Sequence, residues 1–223
     1  MVYVLDQRFP AKIAAWGVDM SRLVSIFRLV VLPLLAVVTL GLAAPAASAA
    51  PATKLNANLA ALWTAVLQTP SAQNSFGTGG AAYECWNLGG TVAPFGPSGV
   101  PSCTVKSGTK IFVAASSFEC STFEGNGTTE AELQACAEQH DVQTAPSVTV
   151  DDRSVPVTEA ETGLLNIVLP ADNIFGLSAG EPGLSFGHGW VALLNPLTPG
   201  THTIIIVSGP TTITTTITVT PGQ

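Results

Sequence analysis

The chain has 223 residues, 47% of them hydrophobic and only 10% charged, and a formal net charge of −7. No basic stripe offsets the acidity. A chain of this kind repels phosphate backbones and anionic membrane surfaces, so nucleic acid is excluded as a partner, and its length suits one domain with one core.

In chain order, the first feature is a leader. A basic stretch from Met20 to Arg28 precedes the uncharged apolar run Leu29 to Leu42, and Ala47-Ser48-Ala49 supplies the small residues of a cleavage site. These are the three parts of a secretory signal, which places cleavage after Ala49 and predicts a secreted protein with no membrane span once 1-49 is removed. The alternative is an uncleaved anchor, since 22 uncharged residues run from Leu29 to Ala50, and a spanning helix needs roughly 20. Pro33, Pro45 and the Ala/Ser tail favour cleavage. Residues 1-19 carry Asp6, Arg8, Lys12 and Asp19 ahead of the signal, so Met20 is a second candidate start. Removal of the leader leaves four basic residues against thirteen acidic ones, a net charge of −9.

Residues 50-75 read as a helix and linker. Leu59, Leu62, Trp63, Val66 and Leu67 recur at helical intervals within Asn56 to Gln68, and Thr69-Pro70 ends the helix. The helix either packs on the main domain, residues 76-223, or tethers it. Ser71 to Ser102, rich in Gly, Pro and Ser, predicts short extended pieces joined by turns, with isolated aromatics at Phe76, Tyr83, Trp86 and Phe95. Lys110 to Ala114 predicts a strand and Ser116 to Gly127 a loop. Thr129-x-x-Glu132 is a capping box, opening a helix with Leu133, Cys136, Ala137 and His140 on one stripe. Further strands are expected at Ser147–Val150, Val155–Val157, Leu164–Leu169 and Trp190–Leu194, with a closing hairpin of His202–Val207 and Thr212–Val219. Many short strands with Gly/Pro turns predict a mainly β chain, an immunoglobulin-like or jelly-roll β-sandwich with one or two short helices.

Four cysteines in an exported chain predict two disulfides. Of three pairings, Cys85–Cys103 and Cys120–Cys136 are preferred, because each closes a short loop. The C-x2-C spacing of a zinc site is absent, and no cofactor is expected.

The tail Leu197-Thr-Pro-Gly-Thr-His-Thr-Ile204, followed by a turn and a strand ending at Val219, resembles the last two strands of many immunoglobulin-like bacterial domains. The stretches Phe118 to Gly127, Glu130 to Leu133, Cys136-Ala137 and Leu169 to Ile174 are similar to a group of exported actinobacterial proteins with no assigned activity. The resemblance implies no catalytic residue.

Gly183-Leu-Ser185-Phe-Gly187 matches the nucleophile-elbow pattern, but that order of partners needs an acid after the serine, and Glu181 is the last acidic residue. A Gly-rich turn between strands is the plainer reading. A triad in another order would draw on Ser185, His188 or His202, and Asp172. His140, His188 and His202 are too dispersed to preorganise a metal; His140 suits the end of its helix, and His188 sits between glycines in a predicted turn. Six acidic residues gather between Glu119 and Asp141, where Glu124 and Asn126 form a candidate calcium loop against the reading of a solvated acidic surface. Glu84 beside Trp86 and Asp172 beside Phe175 suit a carbohydrate, and an exposed row of Tyr83, Trp86 and Phe95 would suit a sugar or lipid; Trp190 reads as core. The leading expectation is a secreted non-catalytic domain that binds an extracellular ligand or cell-surface component. The alternative is a secreted hydrolase using Ser185 or a carboxylate pair.

Overall fold

The computed structural model describes residues 52–222. The signal, its cleavage site, the anchor alternative and the second start therefore lie outside the described residues.

Among the described residues the chain is mainly β, with two α-helices. A six-stranded sheet is built from β1 (Cys85–Asn87), β2 (Thr91–Pro94), β4 (Lys110–Ser121), β7 (Thr158–Glu161), β8 (Leu165–Val168) and β9 (Pro182–Leu194). Its order is β1-β2-β4-β9-β7, with β8 pairing the other half of β9. A five-stranded sheet of order β3-β11-β10-β5-β6 faces it, built from β3 (Ser102–Lys106), β5 (Ser147–Val150), β6 (Arg153–Val155), β10 (Gly200–Ser208) and β11 (Thr211–Thr220). Between them lies a core that includes Ile111, Val113, Ala192 and Leu194 of the first sheet and Val148, Ile204, Ile206 and Ile217 of the second. This is a β-sandwich.

The β5–β6 turn places Asp151 and Asp152 at φ 46° and 63°. Positive φ at both central positions is the backbone whose twist matches a hairpin, and Asp tolerates it. The β10–β11 hairpin pairs Ile206 with Ile213 and His202 with Ile217. Along β11, Thr215, Ile217 and Val219 turn inward and alternate with Thr214, Thr216 and Thr218.

β4 and β9 are longer than the sandwich they serve. The loop expected from Ser116 is instead a continuation of β4, and the elbow-like Gly183–Gly187 segment and His188 lie in β9 rather than in turns. The register shifts between Ala114 and Ser116, where Ala115 bulges out of the pairing with β9. One extra residue reverses the alternation, so Ile111 and Val113 share a face with Ser116, Phe118 and Cys120. The five-stranded sheet covers the first part of that face. Helix α2 (Glu130–His140) covers the rest, packing Leu133 and Ala137 against Cys120 and Phe186.

The predicted capping box forms at α2: Glu132 N–H donates to Thr129 Oγ1 at 3.3 Å, and Thr129 N–H donates to Glu132 Oε2 at 3.0 Å. The preferred disulfides form as well. Cys85–Cys103 joins the two sheets, and Cys120–Cys136 joins β4 to α2.

The opposite face of the six-stranded sheet is covered by α1 (Ala52–Gln68), which starts earlier than its apolar pattern suggests. Leu55, Leu59, Leu62, Trp63 and Val66 pack on Phe112, Ala114, Ala160 and Val191. The helix is thus a third layer, not a tether. Pro70 denies the helix a further turn, and the buried Asn74 closes its end by donating to the carbonyls of Val66 (2.6 Å) and Thr69 (3.3 Å).

The aromatics also differ from expectation. Tyr83 is exposed, but Trp86 is buried and donates its indole N–H to Phe95 O at 2.8 Å, so the three make no exposed row. Trp190 is half-buried rather than core, its N–H donating to Val142 O at 3.0 Å.

Candidate functional site

Strand parity separates the predicted catalytic residues. Ser185 and His188 are three apart on β9, so their side chains leave opposite faces of the sheet. Ser185 Oγ, fully buried, donates to Glu119 Oε1 at 2.5 Å. His188 sets Nδ1 2.9 Å from Asp141 Oδ2 and Nε2 3.0 Å from Glu159 Oε1. Asp141 Oδ1 in turn accepts from Ser116 Oγ and from Val142 N–H. His202 pairs with Asp151 at 2.6 Å across the strand ends of the other sheet. Asp172 holds the turn Ser71–Gln73, accepting Ala72 N–H on its carboxylate (2.9 Å) and Ser71 N–H on its carbonyl (2.6 Å). The four residues sit in four separate networks, and no serine–histidine contact joins any two of them.

The candidate calcium ligands turn inward upon the chain itself. Asn126 Oδ1 accepts Ser121 N–H at 3.0 Å, and Glu124 accepts Ser121 Oγ–H at 3.4 Å. Cys120, Cys136 and His140 place three soft ligand atoms within 4.8 Å of one another, but the disulfide uses two of them.

What the sequence motif does build is a groove. Gly183, Ser185 and Gly187 share the α1-facing side of β9. A Cβ at Gly183 would come within 2.4 Å of the Phe123 ring, and one at Gly187 within 2.6 Å of the Trp63 ring. The glycines are there because two aromatic rings lie against the strand, and Ser185 points its hydroxyl between them.

Beside this groove is a cleft of about 420 Å³. One wall is α1, with Trp63, Val66 and Leu67; Phe76 and Phe95 form the second, and Ile174 and Phe175 the third. Trp63 meets Phe95 edge-on at 5.4 Å, and Phe76 packs on Phe95 at the same distance. The Trp63 indole is fixed from behind, donating to Ser117 Oγ at 2.8 Å while Ser117 donates to His188 O at 2.7 Å. The lining also carries two carboxyls, the buried Glu119 and the exposed Glu124.

Burial pushes the Glu119 carboxyl up to about 8, and the charge of Glu124 adds to the rise; hydrogen bonds from Ser185 and Ser121 act in the other direction. Glu124 reaches solvent at the mouth, yet its carboxyl is packed closely enough that desolvation raises it too. At neutral pH the cleft therefore presents a protonated acid among aromatic walls. Among the described residues that line it there is no basic side chain.

Three other concavities are less specific; the one of about 430 Å³ beside Phe123 and Leu177 holds no buried polar group. The one of about 500 Å³ at the rim of the sandwich, between Val150–Val155 and Leu194–Leu197, gathers no buried polar group. The one of about 300 Å³ beside α2 holds Glu138, Glu159, Glu161, His188 and Trp190, where His188 is already matched to two carboxylates.

Sequence reasoning missed Glu119, grouping it with a solvated acidic surface. The available signal was its neighbour: Cys120 must face α2 to reach Cys136, so Glu119 must face the layer opposite. Compared with known proteins, the chain matches no protein-family model and no curated protein in sequence.

Proposed function

We propose that this is an extracellular, non-catalytic binding domain whose ligand is a small molecule seated in the aromatic cleft. The reading takes the N-terminal leader to be a secretory signal, and two disulfides support an oxidising destination. Among the described residues no helix is long and apolar enough to cross a membrane.

The observation that carries the reading is the composition of the cleft: about 420 Å³, walled by Trp63, Phe76, Phe95 and Phe175, with few polar side chains in its lining. Small-molecule sites have this size and this balance of apolar wall to placed polar group. A ligand-observed NMR screen of ring-containing fragments tests it. Hits should bind the wild type and weaken at least about tenfold in Phe95→Ala and Phe175→Ala, the loss of one well-packed aromatic contact. Thr216→Ala, on the far sheet, should leave them unchanged. Hits that bind all four proteins equally would remove the cleft from consideration.

A second reading is favoured by one observation: Glu119 is held protonated near neutral pH beside another carboxyl, the condition a general acid requires. On that reading the domain is a secreted hydrolase using Glu119 and Glu124. Release of nitrophenol from aryl glycosides or esters, abolished in Glu119→Gln, would establish it, and binding without release would end it.

A further inference from the structure

Given that the cleft is a ligand seat, we propose that its ligand is an organic cation with an apolar body, the positive charge lying against Glu119 and Glu124 and the body against the rings of Trp63, Phe76, Phe95 and Phe175.

The charge pattern points to a cation. Two carboxyls share one cavity, and the described residues lining it include no lysine, arginine or histidine. An anionic ligand would oppose the ionisation of both, and an uncharged one would leave the proton on Glu119 in place. Burial raises both carboxyls, and no positive group is among the causes that shift Glu119. Meanwhile Ser185 donates to Glu119, which favours its ionised form. The cleft thus keeps a proton on a carboxyl already furnished with a donor for a negative charge. A bound cation would take the place of that proton, which passes to solvent as Glu119 ionises.

The walls point to an organic cation rather than a metal ion. Calcium and magnesium need six or more oxygen ligands, and rings and aliphatic side chains supply none. Aromatic faces do attract ammonium groups, through the negative charge of the ring face, and several rings around one cavity are the arrangement that holds alkylated ammonium.

Glu124 is the one charged group acting on Glu119; β9 faces it with Ser185, and α1 brings only Trp63, Val66 and Leu67 to the cleft. Affinity for a permanently charged cation should therefore rise with pH as Glu119 ionises through about 8.

Isothermal titration with benzyltrimethylammonium and with its uncharged carbon isostere, neopentylbenzene, tests the proposal. The cation should bind at least about tenfold more tightly than the isostere at alkaline pH, the difference expected of one charge-assisted contact. Its affinity should fall on acidification although the probe itself cannot titrate, and its heat should differ between buffers of unlike ionisation enthalpy because a proton is released. Glu119→Gln with Glu124→Gln, which preserves shape and hydrogen bonding, should bring the cation down to the isostere. Equal binding of the two probes, or a cation preference that survives the double substitution, would overturn the cationic ligand while leaving the cleft a seat for neutral molecules. Failure of both probes, together with fragment binding indifferent to Phe95→Ala, would overturn the cleft itself.

Discussion

His188 shows how a single residue can look catalytic and be structural. Each ring nitrogen faces a carboxylate, and Asp141 behind it is nearly fully buried and also holds Ser116 and Val142. Removing the imidazole in His188→Ala strands a buried carboxylate, and urea denaturation should show a loss of about 3 kcal/mol. The other partner is different. Glu159 has 59% of its side chain exposed, so Glu159→Gln should cost under about 1 kcal/mol by the same measurement. His202 and Asp151 make a surface counterpart whose contribution depends on pH. Asp151's hydrogen bond raises the pKa of His202, and His202's hydrogen bond lowers that of Asp151. The His202 share is complete below its unfolded pKa of about 6.5 and is lost as pH rises through the raised value; the Asp151 share is complete above about 3.9 and is lost as pH falls through the lowered one. The stability difference between wild type and His202→Gln should therefore be greatest between about pH 4 and 6.5 and shrink toward alkaline pH. Asp151 is about half exposed and its charge is screened by solvent, so the difference should stay under about 1 kcal/mol. A flat difference from pH 5 to 9 would contradict the pairing.

Among the elements, legibility depended on whether a feature was local. The capping box of α2, the β10–β11 hairpin and both disulfides follow from short spacings, and each appears where those spacings put it. β4 was legible only as far as Ala114. Its bulge at Ala115 resets the alternation, and a pattern that changes phase midway cannot be told from a strand that stops. The same event hid Glu119, whose orientation depends on the phase after the bulge. The Gly183–Gly187 motif was misread for a related reason: glycine reports a close approach or a turn alike, and only the rings of Phe123 and Trp63 decide between them. Helix α2 buries only Leu133 and Ala137 fully, so its attachment leans on Cys120–Cys136. Replacing both cysteines by alanine should cost about 3 kcal/mol, the chain entropy released from a loop of this size. Hydrogen exchange should locate the loss, with α2 amides opening while those of β10 and β11 keep their protection. Uniform weakening of both would show that α2 is integral to the sandwich.

At the scale of the molecule the domain is three layers deep. The six-stranded sheet is the middle one, with α1 on one face and the other divided between the five-stranded sheet and α2. Each disulfide rivets the middle sheet to one of the two elements sharing that face; α1 has no covalent tie beyond the chain itself. Tension applied at the N-terminal end of α1 would therefore be borne first by packing alone, and the helix would peel away before either rivet is loaded. Trp63, Val66 and Leu67 would leave with it, and they are one wall of the cleft. Ligand occupancy and mechanical load are thereby opposed: in single-molecule pulling from residue 52, a bound ligand should raise the force of the first rupture, and a steady pull should eject it.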